Sequence, residues 1–172
     1  MIKVLNREFF ERPTVAVAKN LLGKYLCRSY RGKIIRAEIR EVEAYDGFED
    51  KASHAHRGVT PRNKIMFGPA GHWYVYFTYG MHWMLNIVTG KSDYPAAVLI
   101  RGVEGVHGPA RVTKFLKIDK RINGKSASRK IGLWIEGNRK FKDLKLKVTS
   151  SPRVGVAYAG PVWSNKHYRF YL

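Results

Sequence analysis

Cysteine, acidic side chains and long apolar runs are what this chain has least of. Its sole cysteine, Cys27, excludes an internal disulfide framework and any cysteine-rich zinc site. No stretch approaches the ~18 consecutive apolar residues that a membrane span requires. The opening MIKVLNREFF mixes charge with apolar residues, so neither a signal peptide nor a membrane partner is expected, and the expected compartment is the cytoplasm. Internal repeats, low-complexity tracts and linker-like stretches are missing too. The 172 residues are therefore expected to form one domain, large enough to bury roughly two-thirds of its unfolded surface.

The shortage of acid is the most consequential. Only 13 Asp and Glu oppose 32 Lys and Arg, a formal net charge of +19 with a pI near 10.2. Such a surface attracts polyanions, nucleic acid foremost. Ribosomal proteins, histone-like proteins and repair enzymes all share that charge, so it does not separate binding from catalysis. The placement of the acids says more. Residues 51–92 hold none, and residues 105–172 hold Asp119, Glu136 and Asp143 against 16 Lys and Arg. Six acids (Glu38, Glu41, Glu43, Asp46, Glu49 and Asp50) crowd into residues 38–50, opposed there by Arg40 alone. A carboxylate cluster repels the partner that the rest of the chain attracts, so it needs a purpose.

Against these shortages stands an aromatic content of 13%, with ten Tyr and four Trp. The pattern predicts a helix over 8–22, with Pro13 in its first turn, Val15, Ala18 and Leu22 at helical spacing and Gly23 as the stop. Strands follow over 25–30 and 33–43, joined at Arg31-Gly32. In the second, Ile35, Ala37 and Ile39 alternate with Arg36, Glu38 and Arg40. Continuing that period puts Glu41 and Glu43 on the apolar face, where an unpaired carboxylate is costly. Either a bulge re-aims the strand end, or Glu43 emerges at the lip of a pocket. Residues 46–72 read as a long ordered loop. WYVYFTYGMHWMLNIVTG reads as a hairpin turning near Tyr79-Gly80, AAVLIRGVEG as a strand, and 108–118 as a helix opened by Gly108-Pro109. Residues 119–130 read as a polar surface loop, and LWIE, LKLKV, RVGVAYAG and YRFYL as strand-like patches. The expected fold class is α+β, a single compact domain with a mainly antiparallel sheet flanked by helices.

Glu43, Tyr45, His54, Tyr76, Tyr79, Asn86 and Arg101 are the residues with chemistry to offer. Each also has an ordinary reading. Glu43 fits a strand-end surface carboxylate, Tyr45 and Tyr76 fit half-buried sheet aromatics, and Arg101 fits a phosphate contact. His54 and His56 fit a surface loop or, with Glu43 and Asp46, a metal site of no standard spacing.

Taken together, EVEAYDG, ASHAHRGVTPRN, MFGPAGHWYVYFTYGMHWMLN, VLIRGVE, PRVGVAYAG and YRFYL resemble the alkyladenine (3-methyladenine) DNA glycosylase family. The order and spacing match over nearly the whole chain, most strongly across 38–101 and least over 119–150. The resemblance implies a base-excision repair enzyme that hydrolyses the N-glycosidic bond of damaged purines in double-stranded DNA. It also implies a compact domain with a curved antiparallel sheet and no metal or organic cofactor. Matched by position, Glu43 would be the base that activates water, and Arg101 would help hold that water or the adjacent backbone. Tyr45 would stack on the extruded base, with His54 and Tyr76 closing the other side. Asn86 would line the pocket floor, crowding the amine of guanine. Tyr79 would enter the minor groove with Met81 beside it. One base in one duplex needs one pocket, so a monomer working with the chromosome is expected.

Physical chemistry asks for the same parts. A glycosidic carbon inside a duplex is inaccessible, so the nucleotide must be extruded at a cost of a few kcal/mol. A wedge must then fill the gap. Planar, often cationic purines favour π faces, each worth roughly 1–3 kcal/mol. Water needs an ionised carboxylate to take its proton; Arg101 would favour that state and burial would oppose it. Two other classes remain in view. One is a non-catalytic RNA- or ribosome-binding domain. The other is a metal-dependent nuclease built on Glu41, Glu43, Asp46, His54 and His56.

Overall fold

The strand that carries the acid cluster is also the one on which the sheet is assembled. In the computed structural model, which describes residues 2–138, 140 and 147–172, it runs as β2 from Lys33–Asp46. Before it come α1 (Arg7–Phe10), α2 (Thr14–Leu21) and β1 (Tyr25–Tyr30); after it come β3 (Trp73–Thr78), β4 (His82–Val88), β5 (Ala96–Val103), β6 (Val106–His107) and α3 (Pro109–Phe115). The chain closes with β7 (Leu133–Glu136), β8 (Thr149–Ser151), α4 (Gly160–Ser164) and β9 (Arg169–Tyr171). The main path is β3-β4-β5-β2-β1-β7, with β6 on β5, and β9 joining β2 to β8. Every pairing is antiparallel, and the sheet curls into a half-barrel, as expected for this α+β fold.

One face of the sheet is core. Ala37, Ile39, Val42 and Ala44 of β2 pack there with Trp73, Val75, Leu85, Ile87, Val98 and Ile100. Helix α2 covers this face along β2, and α3 covers it along β4 and β5, contributing Val17, Leu21 and Val112. The side chains that alternate with these point into the concave face.

Between Ile39 and Val42 the inward set on β2 passes from odd to even positions, and the register explains how. Ile39 pairs with Val103 and Glu41 with Gly102, so Arg40 is an extra residue on β2. Val42 then pairs with Ile100, so Arg101 is an extra residue on β5. These two offset bulges restore the pairing while reversing which face Glu41 and Glu43 occupy. Of the two alternatives left by the sequence, the bulge is the one realised.

Other expectations need correcting. The helix over 8–22 is two helices. The Asn6 side chain caps the first at the Phe9 amide (3.4 Å), and Pro13, with ψ 133, stands before the second rather than inside a longer one. Residues 119–130 are not merely surface: Ile122 is buried, Lys125 accepts from the Trp73 amide at 2.8 Å, and Asn123 Oδ1 from the Val75 amide at 2.9 Å. The segment thereby covers the open edge of β3. RVGVAYAG forms turns and a short 3-10 helix at Ala157–Ala159, because Gly155 and Gly160 adopt positive φ and interrupt any strand. Most of LKLKV lies outside the described residues.

Ile100 is fully buried opposite Val42 at the bulge. Ile100→Ala is expected to cost about 2–5 kcal/mol, read as a lower urea midpoint with an unchanged slope.

Candidate active site

The concave face opens into a cavity of about 780 Å³ whose walls come mainly from four strands and two loops. Glu43 and Tyr45 reach it from β2, Tyr74, Tyr76 and Thr78 from β3, Met84 and Asn86 from β4, and Leu99 and Arg101 from β5. The loop after β2 adds His54, and the segment before α4 adds Val154 and Tyr158. Seven of the eight residues singled out from sequence therefore line one cavity. Met81 does not line it, although it is 66% exposed on the same hairpin.

Glu43 has no exposed surface of its own. Its Oε2 accepts from the Tyr45 hydroxyl at 2.9 Å, and its Oε1 accepts from the Val154 amide at 2.8 Å. Arg101 Nη1 lies 3.5 Å from Oε1. Burial pushes the Glu43 carboxyl above the ordinary glutamate value of 4.5, although Arg101, the Val154 amide, the Tyr45 hydroxyl and Arg153 all pull the other way. Buried acids are not rare in this chain: Glu136 is equally enclosed, held by Arg36, Arg129 and the Trp134 indole, each at 2.8 Å. What sets Glu43 apart is that it is enclosed by a cavity.

The aromatic walls are held in place. His54 Nδ1 lies 3.1 Å from the Tyr74 hydroxyl, and its ring meets Tyr76 edge-to-face at 4.6 Å. Desolvation, reinforced by Arg62, lowers the His54 pKa and favours a neutral ring. Arg62 itself sits 5.0 Å over Tyr76. Asn86 is 3% exposed and donates to the Tyr74 carbonyl at 3.1 Å. At the rim, Tyr79 is 84% exposed on the three-residue connection between Thr78 and His82, in which both Tyr79 (φ 53) and Gly80 (φ 65) are left-handed. That matches the twist of a tight hairpin, and a tyrosine there is strained.

The match to known proteins fits this geometry. The family described as Methylpurine-DNA glycosylase (MPG) matches over residues 8–108 and 104–172. This chain belongs to that family. A relative from Methanocella arvoryzae is 40% identical, covering 91% of this chain and 86% of its own length. Relatives from Legionella pneumophila (strain Corby) and Carboxydothermus hydrogenoformans are 39% and 40% identical, covering 99% and 98% of this chain and 95% of each relative. All three are provisionally named 3-methyladenine DNA glycosylases. As a methylpurine-DNA glycosylase family member, the chain is a hydrolase of N-glycosyl bonds that takes DNA as substrate, in the repair of alkylated bases.

In this glycosylase, sequence reasoning missed three supports. Asp50 and Arg153 form an ion pair with no exposed side-chain surface; Arg153 also donates to the Ala44 carbonyl at 2.9 Å and lies 4.8 Å over the Tyr45 ring. Asp50 had no assigned chemistry because its partner is over a hundred residues away. Asn63, 1% exposed, donates to the carbonyls of His54 (2.8 Å) and Gly58 (2.9 Å), pinning the loop that presents His54. Tyr158 lines the cavity mouth, its hydroxyl bonded to the Ala52 carbonyl at 2.9 Å. The residues offered for a nuclease do not converge: Asp46 accepts from Tyr94, His56 engages the Phe48 carbonyl, and Glu41 pairs with Arg101 and Arg169. Among the described residues, no three His, Cys, Asp or Glu group closely enough to hold a metal ion.

Asp50→Ala leaves the Arg153 cation buried and unpaired, and is expected to cost about 3–5 kcal/mol, measured by chemical denaturation. Glu43 makes stability depend on pH. Its folded-state pKa is raised, so between the unfolded and folded values the native state holds a proton that the unfolded chain has lost. Stability falls as pH rises through that window and stays lower above it. Glu43→Gln is therefore expected to melt higher than the wild type at neutral pH, with each 1 kcal/mol of relief read as about 2–4 °C. The difference should vanish below the ordinary glutamate range; a gain that persists there would point to packing instead of charge.

Proposed function

We propose that the protein is a monofunctional glycosylase that extrudes alkylated or deaminated purines into the concave cavity and releases them with water activated by Glu43. The observation that carries this reading is a fully buried carboxylate within an aromatic cavity, beside a guanidinium that does not close on it. Glu43 takes the proton of a water aimed at C1′ of the sugar and offsets the positive charge growing there. Arg101 holds that water. Desolvation favours protonated Glu43, so the acid limb of base release is expected above the ordinary glutamate range.

Tyr45 serves as one wall for the base, with His54 and Tyr76 opposite. A neutral His54 suits a cationic alkylpurine, which a protonated imidazole would repel. Asn86 crowds the exocyclic amine of guanine from the floor. Tyr79 enters the minor groove as the wedge, with Met81 beside it, and its exposure on a tight turn is what a wedge requires. The scattered Lys and Arg grip phosphates without reading sequence, as suits a search over any duplex. We propose that the chain acts as a monomer and one domain.

Incubation with single-lesion duplexes carrying 3-methyladenine, 7-methylguanine, hypoxanthine or an etheno-adduct, followed by alkaline cleavage, tests the activity and ranks the substrates. Glu43→Gln should bind lesion duplex as before and release base about 10²–10⁴-fold more slowly; retained release would remove Glu43 from the chemistry. Tyr79→Ala should weaken lesion capture roughly 5- to 150-fold, and unchanged affinity would refute the wedge.

A further inference from the structure

Glu41 shares the concave face with Glu43 because of the same two bulges, yet the mechanism above gives it nothing to do. Its Oε1 accepts from Arg101 Nε at 2.9 Å and from Arg169 Nε at 2.6 Å. Arg101 is thus engaged through Nε while its Nη1 turns toward Glu43, stopping 3.5 Å short of Oε1. Charge-assisted hydrogen bonds close to about 2.7–2.9 Å, so this contact is held open. The seat of Glu41 is also tight. A Cβ on Gly102, its partner across the pair, would come 3.1 Å from Glu41 Cβ and 3.3 Å from Oε2. A side chain at 102 would crowd the Glu41 side chain, which would have to give by a few tenths of an ångström.

We propose that Glu41 is a positioning residue: anchored by Arg169, it holds Arg101 away from Glu43 and keeps the space between guanidinium and base open for the attacking water. The inference rests on the reading of Glu43 as the base. Opposite charges in a site stripped of water attract strongly. An untethered Arg101 would close on Glu43 as a two-pronged pair, filling the seat of the water and occupying the lone pair that must take its proton. The other ionisable groups facing Glu43 are Tyr45 on its own strand, Tyr76 on β3, and Arg153 and Tyr158 from the segment before α4. Arg153 is occupied by Asp50, so Arg101 is the cation free to move in.

The test is Glu41→Gln in the full chain, with single-turnover base release, lesion-duplex affinity and the pH profile measured together. Carbon-13 titration of the glutamate carboxyls follows Glu43 directly, its resonance assigned by its loss in Glu43→Gln. The expected result is a rate lowered about 10- to 100-fold with affinity within threefold, since a misplacement near 1 Å costs on that scale. The acid limb and the Glu43 titration should both move to lower pH, as Arg101 closes on the carboxylate. A loss of rate from general loosening would leave the limb in place or move it upward, and either outcome overturns the proposal, as does an unchanged rate. Deleting the Glu41 charge would by itself lower the limb, so Arg169→Gln, at a side chain 30% exposed, is measured beside it: loss of a cation alone would raise the limb, a freed Arg101 lowers it, and an unmoved or raised limb overturns the proposal. Retained base release in Glu43→Gln would instead sink the reading of Glu43 as base. An inactive Glu43→Gln beside an unaffected Glu41→Gln would sink the tether alone.

Discussion

Two surplus residues, Arg40 on β2 and Arg101 on β5, decide where the acids of this protein go. Without them the period of β2 would carry Glu41 and Glu43 into the layer occupied by Ala37 and Ile39. There two carboxylates would face α2 and the hydrophobic core with no partners. With them, Val42 and Ala44 take over the core positions and the carboxylates pass to the concave face. Neither bulge would suffice alone, because a single extra residue would leave β2 and β5 out of register along Val42–Asp46. The pair reverses a face and then repairs the ladder, and the second surplus residue is itself the arginine that faces Glu43.

The acid cluster that looked anomalous on so basic a chain resolves into separate tasks. Glu38 pairs with Arg40 and Asn138 midway along β2, Asp46 receives the Tyr94 hydroxyl, and Asp50 closes on Arg153. Glu41 holds two arginines, and Glu49 stays exposed. Local acidity here reflects a demand for anchors more than a shared electrostatic function. Glu43 alone combines full enclosure with an open cavity beside it.

Much of this was legible in the sequence, and what was not has a common cause. The β1–β2 and β3–β4 hairpins could be placed because Arg31-Gly32 and Tyr79-Gly80 are glycine-containing turn pairs between alternating strands, a local signal. The lining residues could be named because whole motifs resemble a family. The sequence also posed the problem of Glu43, through a carboxylate falling on an apolar phase, without saying that the answer involved β5. Contacts across great sequence separation were invisible: Asp50 with Arg153, Glu41 with Arg169, and the 122–126 segment against the edge of β3. The 8–22 pattern does not reveal two helices, because Pro13 is tolerated at a helix start and equally marks a break before one. RVGVAYAG alternates like a strand, but its glycines at positive φ turn it into a loop that delivers the Val154 amide to Glu43.

The fixing of Tyr45 has a consequence for how the cavity can change shape. Its hydroxyl is tied to Glu43, and its ring is backed by an arginine that is itself locked to Asp50 and the Ala44 carbonyl. The His54 ring is instead presented by a loop, pinned by side-chain bonds from Asn63 and resting on Tyr74 and Tyr76 of β3. The cavity therefore works as a vice with one fixed jaw and one adjustable jaw. Variants that admit bulkier occupants should arise on the adjustable side, around residues 52–63. The fixed side would have to surrender a buried ion pair before it could yield at all.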